Sequence, residues 1–158
     1  MRLTIVAATG GIGRELLRQA IAAGHDVTAV VRDPSKITAP VRVVRADLAH
    51  ADPAALADAV KGADAVLSGL GARFARTAFR THYADLARME DVVRSSGLDW
   101  TVSRPPKLTD KPLTGHYRTA LGQNVRGGFS IPRADVAHQM LDCLAHPETI
   151  GQIVGLAT

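Results

Sequence analysis

The chain has 158 residues, 46% of them hydrophobic and 22% charged, a balance that fits one folded domain with a real core and excludes a disordered chain. Its net charge of +4 comes from 19 basic and 15 acidic residues, and all but four of the basic ones are Arg. That excess fits an anionic ligand, and fits compositional bias in an Ala- and Arg-rich chain better; with 4% aromatics and no Lys/Arg-rich run, no nucleic-acid surface stands out.

The first element is a strand over Leu3 to Ala7, short, apolar and partly β-branched. It is too short for a membrane span and lacks a secretory pattern, so the cytoplasm is the default compartment. Three glycines follow in Thr9-Gly10-Gly11-Ile12-Gly13. Ile12, Leu16, Leu17, Ala20 and Ile21 then repeat at helical spacing, and Gly24 supplies the stop. A turn from strand into helix bares backbone N–H groups, and the helix dipole favours an anion there. Gly10 and Gly11 allow close approach of a phosphate, Gly13 allows the helix to pack on the strand, and Thr9 adds a hydroxyl. The other reading is a tight turn with no ligand. The strand–turn–helix context favours phosphate, although Ala7 stands where the usual fingerprint has its first glycine.

Val27 to Val31 is a second strand, closed by Arg32-Asp33-Pro34-Ser35-Lys36. An NAD enzyme is expected to place an acid at this strand end, whereas an arginine suits the 2′-phosphate of NADP. Arg32, Ser35 and Lys36 form a small anion cup on that reading and a solvated basic loop on the other. Val41 to Val44 is the third strand, followed by Asp47-Leu48, in a position to flank an adenine. Asp52-Pro53 caps a helix running to about Lys61. Ala65 to Leu67 is the fourth strand, and Gly69-Leu70-Gly71 after it offers bare backbone to the nicotinamide side. Either of these two segments also reads as an ordinary turn.

Arg73, Arg76 and Arg80 precede a long helix, roughly Thr77 to Ser96, stopped by Gly97; a solvated charged face explains them better than an anionic substrate does. His82, Leu86, Met89 and Val93 form its apolar seam. Trp100 to Val102 is the next strand, and a Pro- and Thr-rich loop covers Arg104 to Gly115. His116 to Leu121 and Gly128 to Ile131 suggest a hairpin around Gly122-Gln123-Asn124. A helix from about Arg133 to Ala145 and a strand near Ile153 to Leu156 close the chain. The lone cysteine, Cys143, lies at helical spacing from Val136, Met140 and Leu144 and reads as core filler. The six histidines show no metal-binding spacing, so no metal site is expected. Strands alternating with helices predict an α/β domain with a doubly wound parallel sheet, whose ligand sits at the carboxyl ends of the strands.

The stretches AATGGIG, VRDPSK, RADL and SGLG resemble the atypical short-chain dehydrogenase/reductases. GLDWTVSRPPKLTDKPLTGHYR and IPRADVAHQML are similar to the NAD(P)H-binding proteins grouped with flavin reductase/biliverdin reductase B. The resemblance spans nearly the whole chain and implies a single Rossmann domain. It implies pyrophosphate contacts from Thr9, Gly10, Gly11 and Ile12, and 2′-phosphate contacts from Arg32, Ser35 and Lys36. Adenine would rest near Asp47 and Leu48. Leu70, Gly71 and Pro105 would border the nicotinamide, and Lys107 would face the substrate pocket. The function implied is NADPH-dependent reduction of a small flat acceptor such as a flavin or quinone. A non-catalytic NADP(H)-binding sensor, as among NmrA-like relatives, is the rival; a sugar-nucleotide epimerase ranks last.

Two departures stand out. No Tyr-x-x-x-Lys pair exists: Tyr83 is followed four residues on by Ala87, and Tyr117 by Leu121. Hydride transfer between stacked rings needs chiefly positioning, so its absence does not exclude reduction. In addition, the family's helix and strand between the fourth strand and the long helix have no room here. Either the sheet closes with Trp100–Val102 beside Ala65–Leu67, or the sequence lacks a segment. A real deletion weakens the nicotinamide wall.

Overall fold

The structure is a computed structural model and describes residues 1–47, 50, 53–70 and 91–158. Leu48, Asp52, Gly71, Arg73, Arg76, Arg80, Tyr83 and the long helix up to residue 90 lie outside the described residues. Residues 91–94 are helical, and Gly97 follows with φ +70°.

The first half is a parallel sheet. Strands β1 (Arg2–Val6), β2 (Asp26–Val31), β3 (Arg42–Arg45) and β4 (Ala65–Ser68) lie in the order β3-β2-β1-β4. Leu3 pairs with Val27 on one side and Ala65 on the other. Side chains alternate between the two faces, as strand geometry requires. Leu3, Ile5, Val27, Ala29, Val31 and Leu67 pack with Leu16, Leu17 and Ala20 of helix α1 (Gly11–Ala22). On the other face Val30, Val6 and Val44 pack with Leu56 and Ala59 of helix α2 (Pro53–Val60). Thr4 faces α2 as well, and its buried hydroxyl donates to the Ala59 carbonyl at 2.8 Å. The sheet is therefore covered on both sides, which is why its strands read as nearly continuous apolar runs.

The second half departs from the hairpin expected at Gly122. Strand β7 (Arg118–Leu121) pairs antiparallel with the C-terminal strand β9 (Gln152–Ala157). Strand β8 (Ser130–Pro132) pairs in parallel with β6 (Lys107–Thr109), a segment expected to be loop. Turns at Gly122 and Gly127, both with φ near +70°, carry the chain away from a local pairing. The Gly122 amide donates to the Ile153 carbonyl at 2.7 Å, so the turn is fastened to β9. Strand β5 (Thr101–Arg104) also pairs with β9, in parallel. It does not pair with β4, so the closure of Trp100–Val102 onto Ala65–Leu67 is not realised. Among the described residues, no strand pairs with the outer edge of β4.

Helix α3 (Arg133–Asp142) joins the halves. The helix expected to reach Ala145 ends at Asp142 and tightens into a 3-10 turn over Cys143–Ala145. Ala137 enters the core of the first half, while Val136, Ile131 and Leu156 make a second core that Ile12 of α1 also touches. Gln19 of α1 donates to the Ala134 carbonyl at 2.9 Å. Burial pushes the Cys143 thiol pKa up, and Gln139 donates to its sulfur at 2.7 Å. That is the behaviour of a packed thiol rather than a nucleophile.

Candidate functional site

In the order β3-β2-β1-β4, the chain leaves β1 toward one side and later returns to its other side. The crevice between the carboxyl ends of β1 and β4 is the topological switch point, where open α/β sheets bind ligands. Both loops at this crevice are built of glycine. A Cβ on Gly69 would lie 2.7 Å from the Cα and N of Gly13, and a Cβ on Gly13 would run into the Ala7 carbonyl. Gly13 and Gly69 therefore bring β1, α1 and β4 to backbone contact, which any side chain would prevent.

Gly10 is the N-cap of α1, and no described side chain caps the helix or places an acid in its first turn. The Gly10 amide turns back to the Ala7 carbonyl at 2.9 Å. The first-turn amides of Gly11, Ile12 and Gly13 belong to the end of the helix that carries its partial positive charge. Such an end, kept free of side chains, accepts a phosphate group.

Ala7 has φ +57°, the left-handed region that alanine enters at a cost. The position that lacks the fingerprint glycine still adopts a glycine-like backbone. Ala7→Gly is expected to raise stability by about 1 kcal/mol, a rise of about 3 °C in thermal midpoint, read by calorimetric melting.

Beyond β2, Arg32, Ser35 and Lys36 are all exposed. Asp33 turns inward on this loop. Its carboxylate accepts from the Ser35 hydroxyl at 2.7 Å and from the Ser35 amide at 3.2 Å, and pairs with Lys36 at 3.7 Å. The Ser35 hydrogen bond is the main reason its pKa is lowered, with the Lys36 charge adding to it. The carboxylate that follows this strand end is thus occupied with its own loop, and Arg32 is left as the outward charge.

Of the remaining expected residues, Asp47 is exposed after β3 and lies 3.6 Å from His50. Gly69 is buried at the crevice, and its amide donates to the Val6 carbonyl at 3.0 Å. Leu70 beside it is 61% exposed. Pro105 is half-buried between β5 and β6, and Lys107 is exposed on β6. Thr9 and Ile12 are half-buried in the first crossover.

Two residues that motif reading did not assign to a site stand at the start of α3. Arg133, the first residue of α3, reaches back to α1: a Cβ on Gly11 would lie 2.7 Å from both its Cδ and its Nε. Its Nη1 pairs with Asp110 at 2.6 Å. Asp135, fully buried, accepts from the Thr114 amide at 2.8 Å, the Thr114 hydroxyl at 2.7 Å and the Gly115 amide at 3.0 Å. The available signal was the Arg133-Ala134-Asp135 start of a helix straight after Pro132.

Tyr117 is held elsewhere. Its hydroxyl bonds His138 Nδ1 at 2.7 Å, and burial, with the charge of Asp142 next, pushes its pKa up to about 12. His138 lines a hollow of about 440 Å³ together with Met1 and His25. Met1 precedes β1, so this hollow lies at the opposite end of the sheet from the glycines. No group of three or more potential ligands that suits a metal ion occurs among the described residues. None of the described helices is long and apolar enough to cross a membrane.

The geometry agrees with the comparisons to known proteins. An uncharacterized protein of Bacillus subtilis, YwnB, is 26% identical over 200 aligned positions covering 94% of each chain. That span exceeds the 158 residues here, so the relative carries sequence with no counterpart in this chain. A short-chain dehydrogenase/reductase of the wide type from Veillonella parvula, in complex with NADP, superposes with TM-score 0.84 at 17% identity, covering 99% of this chain and 94% of that one. ChuY, an anaerobilin reductase from Escherichia coli O157:H7, gives 0.79 at 23% identity, covering 99% and 97%. These likenesses establish a Rossmann fold. The profile of the NAD(P)H-binding family matches residues 7–78 and 72–147, two stretches that meet just beyond β4. With most of the chain matched and a bare glycine crossover at its switch point, this protein belongs to the NAD(P)H-binding family.

Proposed function

We propose that the protein is an NADPH-dependent oxidoreductase that passes a hydride to a flat conjugated acceptor such as a flavin or quinone. The observation that carries this reading is the start of α1 at the switch point, where Gly10 caps the helix without a side chain and Gly13 and Gly69 hold β1, α1 and β4 at backbone contact. The residues present fit a dinucleotide. The amides of Gly11 and Ile12, with Thr9 beside them, would hold the pyrophosphate. Arg32, Ser35 and Lys36 would receive the 2′-phosphate, Asp47 and Leu48 would flank the adenine, and Gly69, Leu70, Gly71 and Pro105 would border the nicotinamide. When bound, the reduced nicotinamide supplies the hydride, and positioning is the protein's main contribution. No side chain is assigned as an obligatory acid; the Tyr117 hydroxyl is engaged with His138 Nδ1 at 2.7 Å.

NADPH oxidation followed at 340 nm with free flavin and with a quinone tests the reaction. Acceptor-dependent loss of absorbance is expected. Tight coenzyme binding without turnover would favour the second reading, a non-catalytic NADP(H)-binding sensor. One observation bears on that rival: among the described residues, no strand pairs beyond β4.

Coenzyme preference follows from Asp33 being occupied with Ser35 and Lys36. Arg32→Asp should weaken NADPH binding roughly 10- to 100-fold, the scale of a lost charge-assisted contact, and change NADH binding little. Titrations with both coenzymes check this, and equal losses would remove Arg32 from the 2′-phosphate role.

A further inference from the structure

Arg133 is a cation placed against the cationic end of a helix. Its stem lies along the first residue of α1, where a Cβ on Gly11 would approach its Cδ and Nε to 2.7 Å. Helix N-termini favour acids, and a positive side chain there is unfavourable unless an anion joins the two. The side chain is 29% exposed, and among the described residues its one ion pair uses a single nitrogen, Nη1, on Asp110, which is 90% exposed. Asp110 follows β6 and Arg133 follows β8, two strands paired in parallel from Lys107–Ser130 to Thr109–Pro132. The pair therefore stands on a built edge, and Gly11 provides the space for the stem.

We infer that Arg133 is a coenzyme-positioning residue that binds the pyrophosphate from the side opposite the amides of α1, with Asp110 aiming its guanidinium. The inference rests on the coenzyme reading above. It gives Gly11 a second duty: the missing side chain admits the arginine as well as the phosphate. It also links the two halves of the chain, because the charge that completes the glycine crossover comes from residue 133.

The test is a set of titrations with NADPH, NADH, ADP and 2′-AMP on the wild-type protein, Arg133→Gln, Gly11→Ala and Asp110→Asn. ADP carries the pyrophosphate without the 2′-phosphate, and 2′-AMP carries the 2′-phosphate without the pyrophosphate. Arg133→Gln should weaken NADPH, NADH and ADP alike, about tenfold to a hundredfold, and leave 2′-AMP unchanged. Gly11→Ala, which keeps the charge but displaces the stem from a position where alanine favours the helix, should reproduce the pattern. Asp110→Asn, which removes the group that aims the guanidinium without touching α1, should give a smaller loss in the same pattern, and it decides the matter if Arg133→Gln fails to fold. Unchanged ADP affinity, or equal losses of ADP and 2′-AMP, would overturn the assignment while leaving the coenzyme reading intact. Failure of the wild-type protein to bind NADPH would remove both.

Discussion

Gly13→Ala should destabilise the protein by about 3 kcal/mol, lower its thermal midpoint by about 10 °C and weaken NADPH binding more than tenfold. The added Cβ would collide with the Ala7 carbonyl and lie 2.8 Å from the Ala7 carbonyl carbon and 2.9 Å from Ala8 Cα. All three are backbone atoms. A crowded side chain can change rotamer, but a crowded strand end cannot, so α1 must move away from β1. Gly69 packs against Gly13 so closely that a Cβ added to it would lie 2.7 Å from Gly13 Cα. Moving α1 shifts its N-terminal amides away from the crevice, so stability and binding fall together. Gly24→Asn is the control. Gly24 has φ +76° with nothing within 4 Å of a Cβ, and asparagine tolerates the left-handed region. A loss there should stay under about 1 kcal/mol and leave NADPH affinity alone. Chemical denaturation and coenzyme titration of both variants provide the readout.

The second large effect is at Asp135. Asp135→Ala should cost about 3 kcal/mol, because two backbone amides and a hydroxyl lose their acceptor at once. One carboxylate oxygen takes both the Thr114 and Gly115 amides, and the other takes the Thr114 hydroxyl. The carboxylate also stands in the first turn of α3, where its charge is favoured. Asp135→Asn keeps the oxygen that serves both amides and should cost only about 1 kcal/mol. The contrast between the two variants separates the hydrogen-bond role from the charge. Because Thr114, tied down by Asp135, lies four residues after Asp110 in the chain, the alanine variant should also loosen the support of Arg133. Thermal melting with coenzyme titration checks both outcomes, and equal costs for alanine and asparagine would contradict this account.

How much of this was legible in the sequence depended on distance along the chain. The first crossover was readable because every part is local. Val6 and Gly13 lie seven residues apart, and the glycines fall between an apolar run and a helical repeat. The stops at Gly24 and Gly97 were readable for the same reason. Ala7 as a glycine substitute was visible, but its left-handed backbone was not, since a residue's identity does not set its φ. The partners of β7 and β8 were hidden. Each strand has three or four residues, and their partners lie in segments far along the chain. Turn residues at Gly122 suggested a local hairpin, and the non-local edge of β9 won instead. The same distance concealed Arg133. Its contact with Gly11 spans most of the chain, and no periodicity records a contact of that kind. Arg32 was legible as a charge at the strand end, but where the neighbouring Asp33 directs its own charge shows only in its bonds to Ser35 and Lys36.

The account turns on the backbone amides at the start of α1. A two-dimensional NMR titration of ¹⁵N-labelled protein with ADP reads those amides individually. The resonances of Gly11, Ile12 and Gly13 should move most, and saturate together with the Arg133 side-chain signal. Binding of ADP that leaves these three amides unmoved, while resonances elsewhere shift, would contradict the account.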